Sequence, residues 1–303
     1  KISLINSFIF SFFPLNVYAV GQSSSISLQI FLSLLFLKYF LEFAEKISKK
    51  NIIIFSFVSG LLIMTRGEFI LIFLTTIFYL LVFKKKNLMS IMKIILIVFL
   101  VISPYLIRNY ITFNSITITK SSGYNLWKGN NPLSTVYGVE ARPPIKFNKN
   151  KEWPTLEKKE FKKLKNKLEA INIDKYYEIK RDKIFMNEAI NNLYSDPFKY
   201  FNLFLKKIFS YYFIDLKSNY PNYYNFSHII PIVILSVLSF PGIFLAFKKK
   251  DFKINYLLIY LFLNLVIFSI FFILPRYKLI ILPIQIILAA QFITYIMRRY
   301  DSK

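Results

Sequence analysis

Long apolar runs alternate with short basic clusters along most of the chain. Eight runs rich in Ile, Leu and Phe carry few charges: 2–13, 26–41, 52–64, 69–83, 91–107, 229–247, 254–274 and 279–297. Such runs are typical of helices that cross or enter a membrane, where about 20 apolar residues cover the hydrocarbon core. We therefore predict an all-α integral membrane protein with about eight transmembrane helices.

Two of these runs are too short to cross a membrane separately. Runs 52–64 and 69–83 are separated only by Thr65-Arg66-Gly67-Glu68. A single helix over 52–83 would contain about 32 residues, far more than one crossing requires. The pattern favours a short broken hairpin at 52–83, with Arg66 at its far end.

Residues 108–213 have the composition of water-soluble sequence. A charged helical pattern covers 156–193, Asp196-Pro197 interrupts it, and an amphipathic segment follows at 198–214. Such a segment is typical of a helix that lies in the membrane interface. The predicted organisation is therefore transmembrane helices at 1–107, one large external loop domain at 108–213 that ends in this interfacial helix, and further transmembrane helices at 214–303.

The basic clusters fix a predicted topology. Lys and Arg gather on the cytoplasmic side of membrane proteins. One arrangement places every short cluster inside: Lys46, Lys49 and Lys50; 84–86; 248–250; and Arg298 with Arg299. The loop domain then lies outside, and its own basic charge is no obstacle because long loops translocate largely regardless of charge. We predict a multi-pass protein of a bacterial inner or plasma membrane.

Composition narrows the classes of function. The chain has 303 residues, 55% of them hydrophobic, and a formal charge of +24; its mean hydropathy is +0.45. Positive-inside clusters explain that charge better than nucleic-acid binding does. With no cysteine and a single histidine, His228, we predict no metal site and no cofactor. Because Lys1 stands within an apolar stretch, we expect that the true N-terminus is missing.

Three arginines reach the same predicted outer level. Arg66 is at the hairpin tip, Arg108 follows the run 91–107, and Arg276 lies between the last two runs. Guanidinium groups bind phosphate oxygens in pairs and stay charged, so these residues are candidates for a phosphate site. The alternative is that each arginine only reaches lipid headgroups. Glu68, two residues from Arg66, favours a local ion pair over a catalytic carboxylate.

Further candidates follow in 128–132. Lys128, Asn130 and Asn131 could bind phosphate or sugar hydroxyls, whereas Gly-Asn-Asn-Pro is equally typical of a simple turn.

Several stretches, in order, resemble the polytopic glycosyltransferases of the GT-C fold that use polyprenyl-phosphate sugars. These include proteins like the dolichyl-phosphate-mannose protein mannosyltransferases and the aminoarabinose transferases that modify lipid A. The similar stretches are GLLIMTR at 60–66, SPYLIRNY at 103–110, GYNLWKGNNP at 123–132, DPFKYFNLFLKK at 196–207 and PRYKLIILP at 275–283. Gly67 stands where the family usually has Pro, and Tyr105 where it often has Trp.

The resemblance implies inverting transfer of a sugar to a glycan, lipid or protein acceptor outside the membrane. It assigns the donor phosphate to Arg66, Arg108, Lys128 and Arg276, and substrate contacts to Asn109, Asn130, Asn131 and Tyr277. The family's catalytic Asp/Glu pair lies in the first external loop, so we expect the catalytic base before Lys1 and assign none here.

Two other functions remain open from the sequence. One is a lipid-linked glycan polymerase or ligase, which also combines many helices with a large outer loop. The other is a non-enzymatic flippase or transporter of lipid-linked sugars. A transporter should place polar groups at the membrane midplane, whereas the predicted helices here are nearly pure Ile, Leu and Phe.

Overall fold

A computed structural model describes residues 2–22, 24–139, 159–215, 225–249 and 251–301. Every regular element within these ranges is a helix, which confirms the all-α prediction. The chain forms two compact units. The first comprises 1–118, 221–264 and 275–303, and the second comprises 119–220 and 265–274. Prolines in 136–154 predict an irregular segment, which falls, after residue 139, outside the described residues.

Ten helical elements begin in the first unit. They are α1 (Ile2–Ser11), α2 (Pro14–Val20), α3 (Ile26–Glu45), α4 (Lys49–Thr65), α5 (Phe69–Val82), α6 (Leu88–Phe113), α11 (Phe226–Lys248), α12 (Phe252–Ile270), a 3₁₀ segment at Pro275–Ile280 and α13 (Leu282–Asp301). The last residues of α12 belong to the second unit. A helix thus occupies each of the eight predicted apolar runs.

Four of the described helices are long and apolar enough to cross a membrane: α3, α6, α11 and α12. The pair α1 and α2, bent by 51°, would add a fifth span if it crosses as one. Helices α4 and α5 have 17 and 14 residues. A membrane protein is therefore supported by four candidate spans, and the count of eight stays a prediction.

The hairpin break lies where the sequence predicts it. Helix α4 ends at Thr65, Arg66 is extended at φ −148°, and α5 starts at Phe69. Gly21 and the Ser and Gln residues at 22–25 predict a polar connection over 15–25, but in the structure Pro14 begins the short helix α2 there. Proline is well suited to the first turn of a helix because no partner is needed for its missing N–H.

The fifth apolar run was predicted over 91–107, but its helix extends further at both ends. Helix α6 continues through Pro104 to Phe113. Proline removes the N–H that would bond the carbonyl of Leu100, but the hydroxyl of Ser103 donates to that oxygen at 3.2 Å. The helix ends instead at Asn114, whose φ of 49° is left-handed and whose N–H donates to Tyr110 at 2.7 Å.

Three connections between helices of the first unit, each predicted to be cytoplasmic, lie close together. Lys253 at the start of α12 pairs with Glu45 at the end of α3, with 2.5 Å between Nζ and Oε1. Lys84, after α5, lies over the ring of Phe252 at 3.2 Å. Beneath them Phe40 stacks on Tyr256 at 3.6 Å. The connections between α3 and α4, between α5 and α6, and between α11 and α12 therefore lie at the same end of the unit.

The second unit is a small helical domain with an aromatic core. Its helices are α7 (Ser122–Gly129), a 3₁₀ turn at Lys159–Phe161, α8 (Lys162–Glu169), α9 (Tyr177–Ser195) and α10 (Pro197–Tyr212). Trp127, Phe161 and Phe185 are buried together at its centre. Asp182 of α9 accepts the N–H groups of Gly123 and Tyr124 at 3.0 and 2.8 Å, which fixes the start of α7.

The predicted helical region 156–193 is interrupted, because 170–176 separate α8 from α9. The predicted break at Asp196-Pro197 is confirmed. The Asp196 carboxylate accepts the N–H of Lys199 at 3.0 Å and so caps α10, with Pro197 in its first turn.

Candidate functional site

Two of the predicted phosphate-binding arginines meet on one ring in the first unit. The guanidinium carbon of Arg66 lies 4.8 Å from the centroid of Tyr277, and that of Arg276 lies 5.8 Å from it. Both distances are within the range of a cation–π contact. The Tyr277 ring is buried, so it forms a fixed platform. Residues 66 and 276, far apart in the sequence, are thus brought together around a third predicted site residue.

No acidic side chain neutralises these two arginines within the described residues. The predicted ion pair between Arg66 and Glu68 is not formed there, since neither residue takes part in a salt bridge. The Nε atom of Arg276 is buried and has no hydrogen-bond partner among the described residues. Two cations with free hydrogen-bonding capacity at one place favour an anionic ligand.

Lys278, the residue after Tyr277, was not predicted from the sequence as a site residue. It is buried within the 3₁₀ segment Pro275–Ile280. Burial lowers the pKa of Lys278 well below its usual range, because removal from water disfavours the charged form. The sequence feature that could have identified Lys278 is its position directly after Tyr277, between two apolar runs.

Arg108 and Asn109 form a separate pair in the first unit. Arg108 is exposed on α6 and donates to Oδ1 of Asn109 at 3.1 Å. Asn109 is buried, and its Nδ2 donates to the carbonyl of Thr117 at 2.7 Å. Within the described part of the chain, no contact joins Arg108 to Arg66 or Arg276. The role assigned to Arg108 and Asn109 therefore stays a prediction.

The remaining predicted residues belong to the second unit, where they are buried. Asn131 Nδ2 donates to the carbonyl of Trp127 at 3.0 Å, and its Oδ1 accepts the N–H of Leu133 at 3.0 Å. Asn130 Nδ2 donates to the carbonyls of Leu126 and Ile270, at 2.9 and 2.8 Å. Both amides hold the end of α7, which matches the turn interpretation of this motif. Their role in substrate binding is not tested by these contacts.

Lys207 is the centre of this buried polar group, although it was not predicted from the sequence as a site residue. Its Nζ donates to the carbonyls of Phe271 and Gly129, at 2.6 and 2.8 Å, and to Oδ1 of Asn130 at 3.2 Å. Burial lowers the pKa of Lys207 to about 7. Helical spacing was the available signal, since Tyr200, Leu203, Lys207 and Tyr211 share the buried face of α10.

Gly129 shows how tightly this group is packed. A Cβ atom at this position would overlap the carbonyl oxygen of Phe271. The glycine therefore permits the close backbone approach that Lys207 bridges. Lys128, also buried, places its Nζ 4.4 Å from the ring centroid of Phe272.

A metal centre finds no support in the described ranges, because they hold no group of three or more His, Asp or Glu side chains able to bind an ion. Comparisons with protein-family models, with curated proteins and with solved structures find no match to this chain.

Proposed function

We propose that this protein is a membrane glycosyltransferase that moves a sugar from a polyprenyl-phosphate donor to an acceptor on the outer face, with inversion. The observation that carries the proposal is the convergence of Arg66 and Arg276 on Tyr277, with no acidic partner among the described residues. The alternative of headgroup contact would not require two distant segments to share one buried ring.

The arrangement suits the leaving group of such a reaction. The acceptor hydroxyl attacks C1 of the sugar, the bond between C1 and the phosphate oxygen breaks, and a carboxylate takes the hydroxyl proton. Negative charge grows on the departing phosphate, so positive groups already in place lower the barrier. Arg66 and Arg276 would supply that charge, and the apolar helices suit the polyprenyl chain. No residue described here is assigned as the base.

Sugar transfer by the full-length protein with Arg276→Ala and Arg276→Lys tests the proposal. The alanine variant should lose transfer by about a hundredfold or more, since one electrostatic contact to a transition state is worth roughly 10²–10³ in rate. Arg276→Lys should be intermediate, because an ammonium keeps the charge but not the paired hydrogen bonds. Lys93→Ala, which removes an exposed cation of α6, is the control. Wild-type turnover at limiting donor in both Arg276 variants would contradict the proposal.

One observation favours transport as the second candidate. The candidate spans α3 and α12 bury polar side chains against the expectation of nearly pure apolar interiors: Gln29, Ser33, Tyr260 and Asn264. Neither amide atom of Gln29 has a hydrogen-bond partner in the described residues. Intramembrane polar groups of this kind can mark a substrate path. Transfer of lipid-linked sugar across vesicle membranes, lost in Gln29→Leu but kept in Arg276→Ala, would favour this candidate.

A further inference from the structure

A cavity of about 500 Å³ opens in the first unit between the ends of α11 and α13 and the start of α1. Three exposed cations line it: Lys248, Lys249 and Arg298. The rest of its lining includes the apolar side chains of Ile2, Leu245 and Ile287. The cavity therefore combines a positive end with an apolar wall.

The two kinds of surface are separated along the helices. Ile287 precedes Arg298 on α13 by a helical length of about 16 Å, at 1.5 Å per residue. Leu245 likewise lies nearly one turn before Lys248, the last residue of α11, and Lys249 follows the helix. A ligand that fills the site must carry negative charge at one end and an apolar body extending from it. An anionic phospholipid has this form, and basic pockets between membrane helices bind such headgroups.

Charge around the cavity agrees with this ligand. None of the described residues that line the cavity is acidic, so no carboxylate among them competes with a phosphate for the three cations. Cations at helix C-termini also stabilise the helix dipole, but that role needs neither a cavity nor an apolar wall. Gln291 contributes an amide oxygen that is buried and has no hydrogen-bond partner in the described residues. It could accept a hydroxyl of a glycerol headgroup.

We infer that this cavity is a binding site for an anionic phospholipid, with its phosphate at Lys248, Lys249 and Arg298. This inference does not depend on the proposed sugar transfer. The positive-inside prediction places these cations at the cytoplasmic face, whereas Arg66 and Arg276 were predicted at the outer level. The lipid would thus be a structural or regulatory ligand and not the donor.

Native mass spectrometry of the purified protein with phosphatidylglycerol or phosphatidylcholine tests the site. The wild type should retain phosphatidylglycerol in preference to phosphatidylcholine. The triple variant Lys248→Gln, Lys249→Gln, Arg298→Gln should bind phosphatidylglycerol roughly a hundredfold more weakly, since each cation near a lipid surface contributes about fivefold. The matched control Lys46→Gln, Lys49→Gln, Lys50→Gln removes the same charge from the same predicted face outside the cavity, and it should bind like the wild type.

A second variant separates the cavity from general charge attraction. Ala290→Phe would fill the cavity and leave all three cations in place, so it should also weaken phosphatidylglycerol binding. Equal binding by the wild type and both cavity variants would overturn the inference, as would equal loss in the control variant. Displacement of phosphatidylglycerol by millimolar inorganic phosphate would assign the site to a free anion and would also overturn it.

Discussion

Two buried or half-buried groups of basic side chains differ in whether the protein itself satisfies their hydrogen-bond donors. In the second unit, Lys207 donates to three oxygen atoms within 3.2 Å, and each acceptor belongs to the protein itself. In the first unit, the guanidinium groups of Arg66 and Arg276 both lie over the ring of Tyr277, and the buried Nε atom of Arg276 has no hydrogen-bond partner among the described residues. A cation whose donors are all used internally is suited to hold a fold together. One that keeps its donors free is suited to bind a ligand.

Replacement of Lys207 should give the largest change in stability. Lys207→Met removes all three hydrogen bonds and leaves buried carbonyls without a donor, at a cost of about 3 kcal/mol. Hydrogen–deuterium exchange of the amides in α7 and α10 measures that loss locally. Lys206→Met, at the exposed neighbouring position, is the matched control and should change little. Unchanged exchange in Lys207→Met would contradict the claim that Lys207 stabilises the second unit.

The same lysine should make stability depend on pH. Burial lowers the pKa of Lys207 to about 7 in the folded protein, against 10.5 in the unfolded chain. Between these values the unfolded state binds more protons, so the free energy of unfolding should rise with pH, by about 2 kcal/mol from pH 7 to pH 9. The contribution of Lys207 is the difference in free energy of unfolding between the wild type and Lys207→Met, measured by hydrogen–deuterium exchange from pH 7 to pH 9. A flat difference, or a fall with rising pH, would contradict it.

Tyr277 tests the platform under the arginines. Tyr277→Leu removes both cation–π contacts and should weaken binding of a polyprenyl phosphate by about 1 kcal/mol, roughly fivefold. Tyr277→Phe keeps the ring and should bind nearly as the wild type does. Equilibrium binding in detergent micelles compares the two. Equal weakening in both variants would point to the hydroxyl and not to the ring.

The smallest change is expected in the stability of Arg276 variants without ligand. Arg276→Gln removes a cation with no described ion pair, so unfolding should shift by no more than about 0.5 kcal/mol. Thermal unfolding of the ligand-free protein followed by far-UV circular dichroism measures the shift. A loss as large as that of Lys207→Met would make Arg276 a structural cation and would end the contrast between the two regions.

Patterns of charge and hydrophobicity could predict the helices but not the hydrogen-bond partners of each polar side chain. The break at Arg66 is visible in the sequence because Thr-Arg-Gly-Glu interrupts an apolar run. The continuation of α6 through Pro104 is not visible there, because proline usually interrupts a helix; in the structure the Ser103 hydroxyl donates to the carbonyl of Leu100, which proline leaves without its usual N–H. Likewise, helical spacing places Lys207 on a buried face, but only the three-dimensional arrangement supplies Gly129 and Phe271 as its acceptors.

The candidate site was likewise predictable from the sequence only in part. The sequence predicts Arg66 and Arg276 at the same outer level as candidates for a phosphate site. It could not predict that Arg66 lies on the ring of Tyr277, about two hundred residues away, since contact of distant segments is a property of the fold. Arg108 was predicted at the same outer level; it donates to Asn109 on α6, and its role in phosphate binding stays a prediction.

The most direct test of the central claim is the affinity of the full-length protein for a polyprenyl monophosphate, compared between the wild type and Arg66→Gln, Arg276→Gln. Two charge-assisted contacts are worth about 1.5–3 kcal/mol each, so the double variant should bind at least a hundredfold more weakly. Lys206→Gln is the control for loss of an exposed cation. Equal affinity in the wild type and the double variant would contradict the claim that these arginines hold the donor phosphate.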